Sequence, residues 1–278
     1  MSINYPSLNL GYYRIIAELQ QSGQYERNQR TGVKVRSLPG MTLQVELAHC
    51  DQIPIPGWRR VHHRLAVAEL LWSLMGTTDP SWLQRHTKMW DLWIEDDGTL
   101  PTAYGYRWRK EFGRDQLLSG ISALIEDPTN RQVNVFAWHP GKDGNGYPDQ
   151  PKNIPCILGF TVNVIRGRLN MSVYLRSSDV VVGLPYDYMF YAFLMNMISV
   201  SVGKPVGVLT LHLANAHFYE CHADIVKAIL GMESEWKFHG TRFLSAGIES
   251  AIKYPNLIMG ELDDTLENDY NPRPELVK

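Results

Sequence analysis

The most apolar stretch of the chain, Tyr188 to Val202, constrains the fold more than any other segment. It falls short of a membrane span, which needs about 20 apolar residues in a helix, and Asn196 interrupts its middle. It therefore predicts a long helix over 186–202 enclosed by the rest of the protein. A chain of 278 residues, 44% apolar and 20% charged, can build the core that such a helix requires. The net charge of −2 excludes a general affinity for nucleic acid or acidic membranes, although clustered arginines can still hold a small anion. The three cysteines, Cys50, Cys156 and Cys221, form neither a disulfide framework nor a CxxC pair. That suits a reducing cytosol. The opening Met-Ser-Ile-Asn-Tyr-Pro lacks a basic segment followed by an apolar run, so no signal peptide is expected and the expected location is cytoplasmic.

Hydrophobic spacing predicts a helix over 8–22 that ends at Gly23, and a hairpin over 33–47 turning at Pro39-Gly40. An apolar helix follows over 61–75 with one carboxylate, Glu69, and Asp79-Pro80 opens a shorter helix. Residues 87–109 form an aromatic, loop-like stretch around Asp96-Asp97-Gly98, and a helix over 115–125 stops at Asp127-Pro128. Strands are expected over 132–138, 156–165, 169–176 and 206–215, with Gly167 turning the middle pair and a last helix near 221–230. No repeat or change of composition marks a linker, so residues 1–278 are expected to form one domain. Helices and strands do not alternate regularly, which predicts an α+β fold rather than a doubly wound sheet.

Cys156 is the candidate nucleophile, since covalent catalysis by cysteine needs a thiolate beside positive charge, and Arg176 on the next strand can supply it. The alternative is an inert core cysteine. Glu69 is a candidate proton carrier, because burial raises a carboxyl pKa toward neutrality; the alternative is a carboxylate paired with Arg64. His217 and Tyr219, two apart on a strand, share one face and could hydrogen-bond a sugar, or form a satisfied core pair. His62, His63, His212 and His217 have no metal-ligand spacing with the cysteines, so no metal is expected, and His222 is unassigned. No glycine-rich phosphate loop is present, leaving Arg30, Arg131 and Arg176 as phosphate candidates.

These residues sit within an ordered series of motifs. The series runs Arg30-Thr31-Gly32, Arg60-Val61-His62-His63-Arg64, Ala68-Glu69-Leu70-Leu71-Trp72, Trp90-Asp91-Leu92-Trp93 and Tyr104-Gly105. It continues with Asp127-Pro128-Thr129-Asn130-Arg131, Ala137-Trp138, Pro155-Cys156, Arg176-Ser177-Ser178-Asp179, Gly183-Leu184-Pro185 and Ala216-His217-Phe218-Tyr219. In this order and spacing the chain resembles the thymidylate synthase superfamily from roughly Arg30 onward. The resemblance implies that fold: a mixed central sheet with flanking helices, a long buried helix and a sheet-to-sheet homodimer. It implies that Cys156 adds to C6 of a pyrimidine nucleotide, and that C5 then takes a one-carbon unit from methylenetetrahydrofolate. Arg30, Arg176, Ser177 and, across the dimer interface, Arg131 would bind phosphate, within a nucleotide pocket that includes Ser178 and Asp179. Glu69 would organise proton transfer, and Tyr104 would help remove the C5 proton. Trp90, Trp93 and Asp179 would contact the folate, with Arg59 and Arg60 near its tail, while His217 and Tyr219 would hold the 3′-hydroxyl.

Asp187 departs from this pattern, for the uracil-methylating members carry asparagine there. Cytosine presents an N4 donor and an N3 acceptor, which a carboxyl group sharing one proton satisfies. Uracil would set O4 against the carboxylate, and such a buried mismatch costs about 1–3 kcal/mol or more. The pocket is therefore similar to that of phage deoxycytidylate hydroxymethylases, and dCMP is the expected nucleotide; the alternative for Asp187 is a local cap or pair. Ile157, Leu175 and Gln132 also depart, replacing histidine, glutamine and a second phosphate arginine. The ending Tyr270-Asn271-Pro272-Arg273-Pro274-Glu275-Leu276-Val277-Lys278 stops where methylating relatives carry an apolar closing tail, which favours water over hydride and a hydroxymethyl product. Retained Trp90 and Trp93 favour the rival, a methyl product. A CMP enzyme and a catalytically silent nucleotide- or RNA-binding relative are further alternatives; Ser177 opposes the first, and intact Cys156, Glu69, Arg176 and Asp179 oppose the second.

Overall fold

The computed structural model describes residues 8–29, 32–48, 52–58, 60–144, 146, 148–231 and 239–262. The elements in chain order are α1 (Leu8–Ser22), β1 (Gln24–Arg27), β2 (Lys34–Glu46), β3 (Ile53–Ile55), α2 (His63–Met75), α3 (Tyr104–Tyr106), α4 (Gln116–Glu126), β4 (Asn134–Phe136), β5 (Ile157–Ile165) and β6 (Arg168–Leu175). They continue with β7 (Ser178–Asp179), α5 (Gly183–Val202), β8 (Val206–Tyr219), α6 (Ala223–Gly231), β9 (His239–Thr241), α7 (Ile248–Lys253) and α8 (Pro255–Glu261). A seven-stranded sheet runs β1-β2-β8-β6-β5-β4 with β7 added beside β8, and β3 and β9 pair separately. β6 and β7 lie parallel to β8 while the other pairs are antiparallel, so the sheet is mixed and the architecture is α+β, as expected.

The core helix forms where the apolar stretch predicts it. Tyr188 through Ser199 are all buried, and Gly203 at φ 67° closes the helix in the left-handed conformation that only glycine adopts without strain. Asn196 finds its partners in a distant backbone: its Oδ1 accepts from Leu244 N (2.8 Å) and its Nδ2 donates to Leu244 O (3.3 Å). A polar residue buried this way pins the C-terminal segment onto α5. Among the described residues no helix is long and apolar enough to cross a membrane.

The hairpin expected at Pro39-Gly40 does not form. Residues 34–46 are one strand, and Pro39 and Met41 stay in register opposite Asn215 and Leu213 of β8. Gly40 takes φ 68°, a local kink inside a ladder whose long-range pairing outweighs the turn signal. Residues 87–109 are also less irregular than expected: α3 continues into a π-type turn over Arg107–Glu111. That turn carries a buried ion pair, Arg107 with Asp143, and Arg107 Nη1 also donates to Ala137 O (2.7 Å).

Gly105 lets α3 lie directly on α2, since a Cβ there would run into the backbone of Ser73. This close approach places Tyr104 beside the helix that carries Glu69. Gly105→Ala is expected to destabilise the protein by about 1–3 kcal/mol or more through overpacking. Gly260→Ala, at an open position within α8, is expected to be neutral or slightly stabilising. Denaturant unfolding of the two variants compares them directly.

Candidate functional site

Sheet topology gathers the candidate residues. β5 runs opposite to β6 and β8, so the start of β5 and the ends of β6 and β8 lie at one end of the sheet. Cys156 precedes β5, Arg176 follows β6, Asp179 ends β7, and His217 and Tyr219 close β8. α2 brings Glu69 to the same place, α3 brings Tyr104, and α5 brings Asp187.

Cys156 is exposed, not an inert core cysteine. Its carbonyl accepts from Arg176 N (2.8 Å). The Arg176 guanidinium folds back on the approach to the thiol, with Nε donating to Pro155 O (2.8 Å) and Nη2 to Ile154 O (3.0 Å) over the face of Trp138. The residues flanking these two, Ile157 and Leu175, are direct cross-strand partners and both are buried. Two of the sequence departures are thus one joint change, an apolar pair facing the core.

The acids are the second feature. Burial, opposed by the Trp90 indole and reinforced by Asp187, raises the Glu69 pKa to about 7. The Trp90 Nε1–H itself is buried and short of full hydrogen-bond geometry. Arg64 is not Glu69's partner; its charge acts on His63 and His86. Burial and then Asp179 raise the Asp187 pKa to about 7. Asp187 neither caps nor pairs locally: among the described residues its carboxyl makes no hydrogen bond or ion pair. Asp179 instead holds the turn into α5, its Oδ1 accepting from Val181 N (3.0 Å) and Val182 N (3.2 Å).

The Tyr104 phenol is pushed well above its usual range by burial and by Cys156, Glu69 and Asp187, while the Cys156 backbone N–H opposes the shift. Tyr191, one helical turn after Asp187, is raised well above it too, by burial and by Tyr104, Asp187 and Glu69. Sequence reasoning missed Tyr191; its i+4 spacing from Asp187 was the available signal. His217 Nδ1 lies 3.1 Å from Asn215 Oδ1, its ring stands edge-on to Tyr219 at 5.5 Å, and burial lowers its pKa against the pull of Asp179. Ser178 Oγ is buried without a partner, and Ser177 is half-buried.

The remaining candidates divide between the cluster and its surroundings. Trp90 packs near Trp72 and edge-on to Tyr104 (5.9 Å), whereas Trp93 is 39% exposed and Arg60 is exposed. Arg131 is exposed and precedes β4, whose antiparallel pairing carries it toward the far end of β5, away from Cys156. Within one chain it does not join the cluster. Arg30, Arg59, Cys50 and the ending 270–278 lie outside the described residues. A cavity of about 710 Å³ beside α4 and β4, lined by Phe112, Arg114, Phe136 and Trp138 among others, contains none of Cys156, Glu69 or Asp187. Convergent side chains, not cavity size, locate the chemistry. Among the described residues no group of three His, Cys, Asp or Glu could hold a metal.

The folded state keeps protons on Glu69 and Asp187 where the unfolded chain has released them, so both acids cost stability as pH rises from about 4 to about 7. Asp187→Asn is expected to stabilise the protein by about 1–2 kcal/mol at pH 8, discounting for partial exposure, and hardly at all at pH 4. Denaturant unfolding at the two pH values checks this, and equal effects at both would contradict it.

The arrangement is an exposed thiol, acids and phenols at least partly buried and pushed toward their protonated forms, the Trp90 ring, and a buried polar atom, Ser178 Oγ, without a hydrogen bond. It suits a polar ring bound beside the thiol. The thymidylate synthase family model matches residues 10–276. The chain therefore belongs to the thymidylate synthase family, folate-dependent enzymes that transfer one carbon to C5 of a pyrimidine nucleotide.

Proposed function

We propose that this chain, as one catalytic domain, converts dCMP to 5-hydroxymethyl-dCMP with methylenetetrahydrofolate as co-substrate. The observation that carries the reading is the Asp187 carboxyl, without a local partner and surrounded by protein that favours its protonated form. Such a group accepts from cytosine N4–H through one oxygen and donates its proton to N3 through the other. The family's asparagine at this place serves uracil.

Cys156 adds to C6, and the electron pair displaced from C5=C6 is stabilised as Asp187 gives its proton to N3. The folate, when bound, supplies a carbon at the oxidation level of formaldehyde. Trp90 and Trp93 form the wall against which it would lie, with Arg60 near its tail, and Asp179 offers its second oxygen to either substrate. Tyr104, beside Cys156 and held protonated by its surroundings, relays the C5 proton through the water that Glu69 organises. Water then adds to the new exocyclic carbon, Cys156 departs from C6, and the products are hydroxymethyl-dCMP and tetrahydrofolate. Arg176, Ser177 and Arg30 would hold the phosphate, Ser178 would line the pocket, and His217 and Tyr219 would hold the sugar. The exposure of Trp93 and of Leu92, 84% exposed, supports water entry. The retained packing of Trp90 on Tyr104 supports the rival reading, methylation of the same nucleotide.

Arg131 completes the phosphate site only from a second copy. The sheet face bearing Phe136 and the stacked Tyr174–His212 pair supports a homodimer across that face. We place the reaction in the cytoplasm, that of an infected host if the chain is phage-encoded.

Incubation with dCMP and methylenetetrahydrofolate is expected to yield a product heavier by one CH2O unit; a gain of CH2 with dihydrofolate formation would favour methylation. Asp187→Asn is expected to gain dUMP turnover and to lose dCMP turnover by about 10-fold or more, as a buried mismatch of 1–3 kcal/mol implies. An unchanged preference would refute the role given to Asp187. Mixing inactive Cys156→Ala and Arg131→Ala proteins is expected to restore about a quarter of wild-type sites through hybrid dimers. No recovery after subunit exchange would count against the shared site.

A further inference from the structure

The four residues before the thiol, Lys152-Asn153-Ile154-Pro155, are each held by a hydrogen bond. Lys152 N donates to Glu95 Oε1 (2.7 Å), and its Nζ donates to Ile94 O (2.9 Å) and Asp96 Oδ1 (2.7 Å). Asn153 Nδ2 donates to Thr102 Oγ1 (3.1 Å). Ile154 O and Pro155 O accept from Arg176. Two different elements thus hold the approach to Cys156. Arg176, just after β6, grips its end, while the loop 94–102 grips its start. That loop directly follows the turn bearing Trp90 and Trp93 and leads into Tyr104.

We propose that Lys152 is a positioning residue that ties the loop behind the Trp90–Trp93 wall to the segment presenting the Cys156 thiol. The proposal rests on reading Cys156 as the nucleophile and that wall as the donor side. Of its three bonds, the ion pair with Asp96 contributes least, because Lys152 is 43% and Asp96 fully exposed and such a pair is heavily screened. The bonds to Ile94 O and Glu95 fix geometry, since they bind main chain on one side or the other and leave few ways to shift. The two sides then move as a unit, and a displacement at the wall reaches the thiol through four residues. A thiol held loosely beside Arg176 spends less time in the geometry where that charge favours the thiolate.

The test uses the full-length protein and iodoacetamide, with alkylation of each cysteine followed by peptide mass spectrometry. Cys221 is also exposed and serves as the internal reference. Lys152→Ala is expected to slow Cys156 alkylation about threefold or more and to lower kcat more than the nucleotide KM, as small misplacements of reacting groups do. Cys221 should alkylate at its wild-type rate. Lys152→Arg should restore the Cys156 rate to within about twofold, and Asp96→Ala should leave it near wild type, as expected for an exposed pair. An unchanged Cys156 rate in Lys152→Ala, a parallel change at Cys221, or an equal loss in Asp96→Ala would each overturn the proposal. If Lys152→Ala does not fold, Glu95→Ala, which removes the acceptor of the Lys152 backbone N–H, is held to the same outcomes. Alkylation needs no nucleotide, so an error in the assigned substrate leaves this test intact, and its failure leaves the dCMP assignment standing.

Discussion

Glu69 and Asp187 come from two apolar helices, α2 and α5, that pack against each other; Asp187 adds to the cost of charge on Glu69, and Asp179 adds to the cost of charge on Asp187. Water cannot solvate them fully, and no arginine or lysine is bonded to Asp187 among the described residues. Two negative charges so placed are unfavourable, so both groups still hold protons for part of the time near neutral pH, where ordinary carboxyls have lost them. The tyrosines extend the effect. Tyr191 is buried and Tyr104 partly buried beside the same acids; both stay neutral, so they remain donors. The result is a proton reservoir inside the protein, adjoining a thiol at its surface.

The thiol's position follows from a different constraint. The crossover from β6 through β7 and α5 to β8 makes these strands parallel, which brings their C-terminal ends together. β5, antiparallel to β6, contributes its N-terminal end to the same edge. Arg176, Asp179 and His217 therefore lie at the same end of the sheet as Cys156 without any being near it in sequence. Arg176 stiffens this arrangement by donating to two carbonyls just before the cysteine. Its guanidinium is held on the segment just before the thiol by these hydrogen bonds and, among the described residues, by no salt bridge.

In the proposed reading, specificity and catalysis use the same atoms. The local cost that keeps Asp187 protonated also gives it the donor and acceptor that a cytosine ring needs. An asparagine would serve as well in size and would relieve the burial of an acid. Retaining the acid is a stability cost that the proposed nucleotide explains.

Much of this was legible in the residues. The apolar stretch ending at Val202 forced a core helix, and the strands near 156–165, 169–176 and 206–215 appeared within a few residues of their expected ends. Ordered motifs from Arg30 to Tyr219 carried the family, and Asp187 stood out within them. These signals are local in spacing, so periodicity and motif order could carry them. The tertiary structure alone decided that Pro39-Gly40 kinks a strand instead of turning a hairpin, since pairing with β8 outweighs the local signal. It also decided that Cys156 is exposed, that Tyr191 joins the acids, that Ile157 and Leu175 are partners, and that Arg131 points to the other end of the sheet. Each depends on strand register or helix packing between segments far apart in the chain, and no local pattern encodes which distant group will stand opposite.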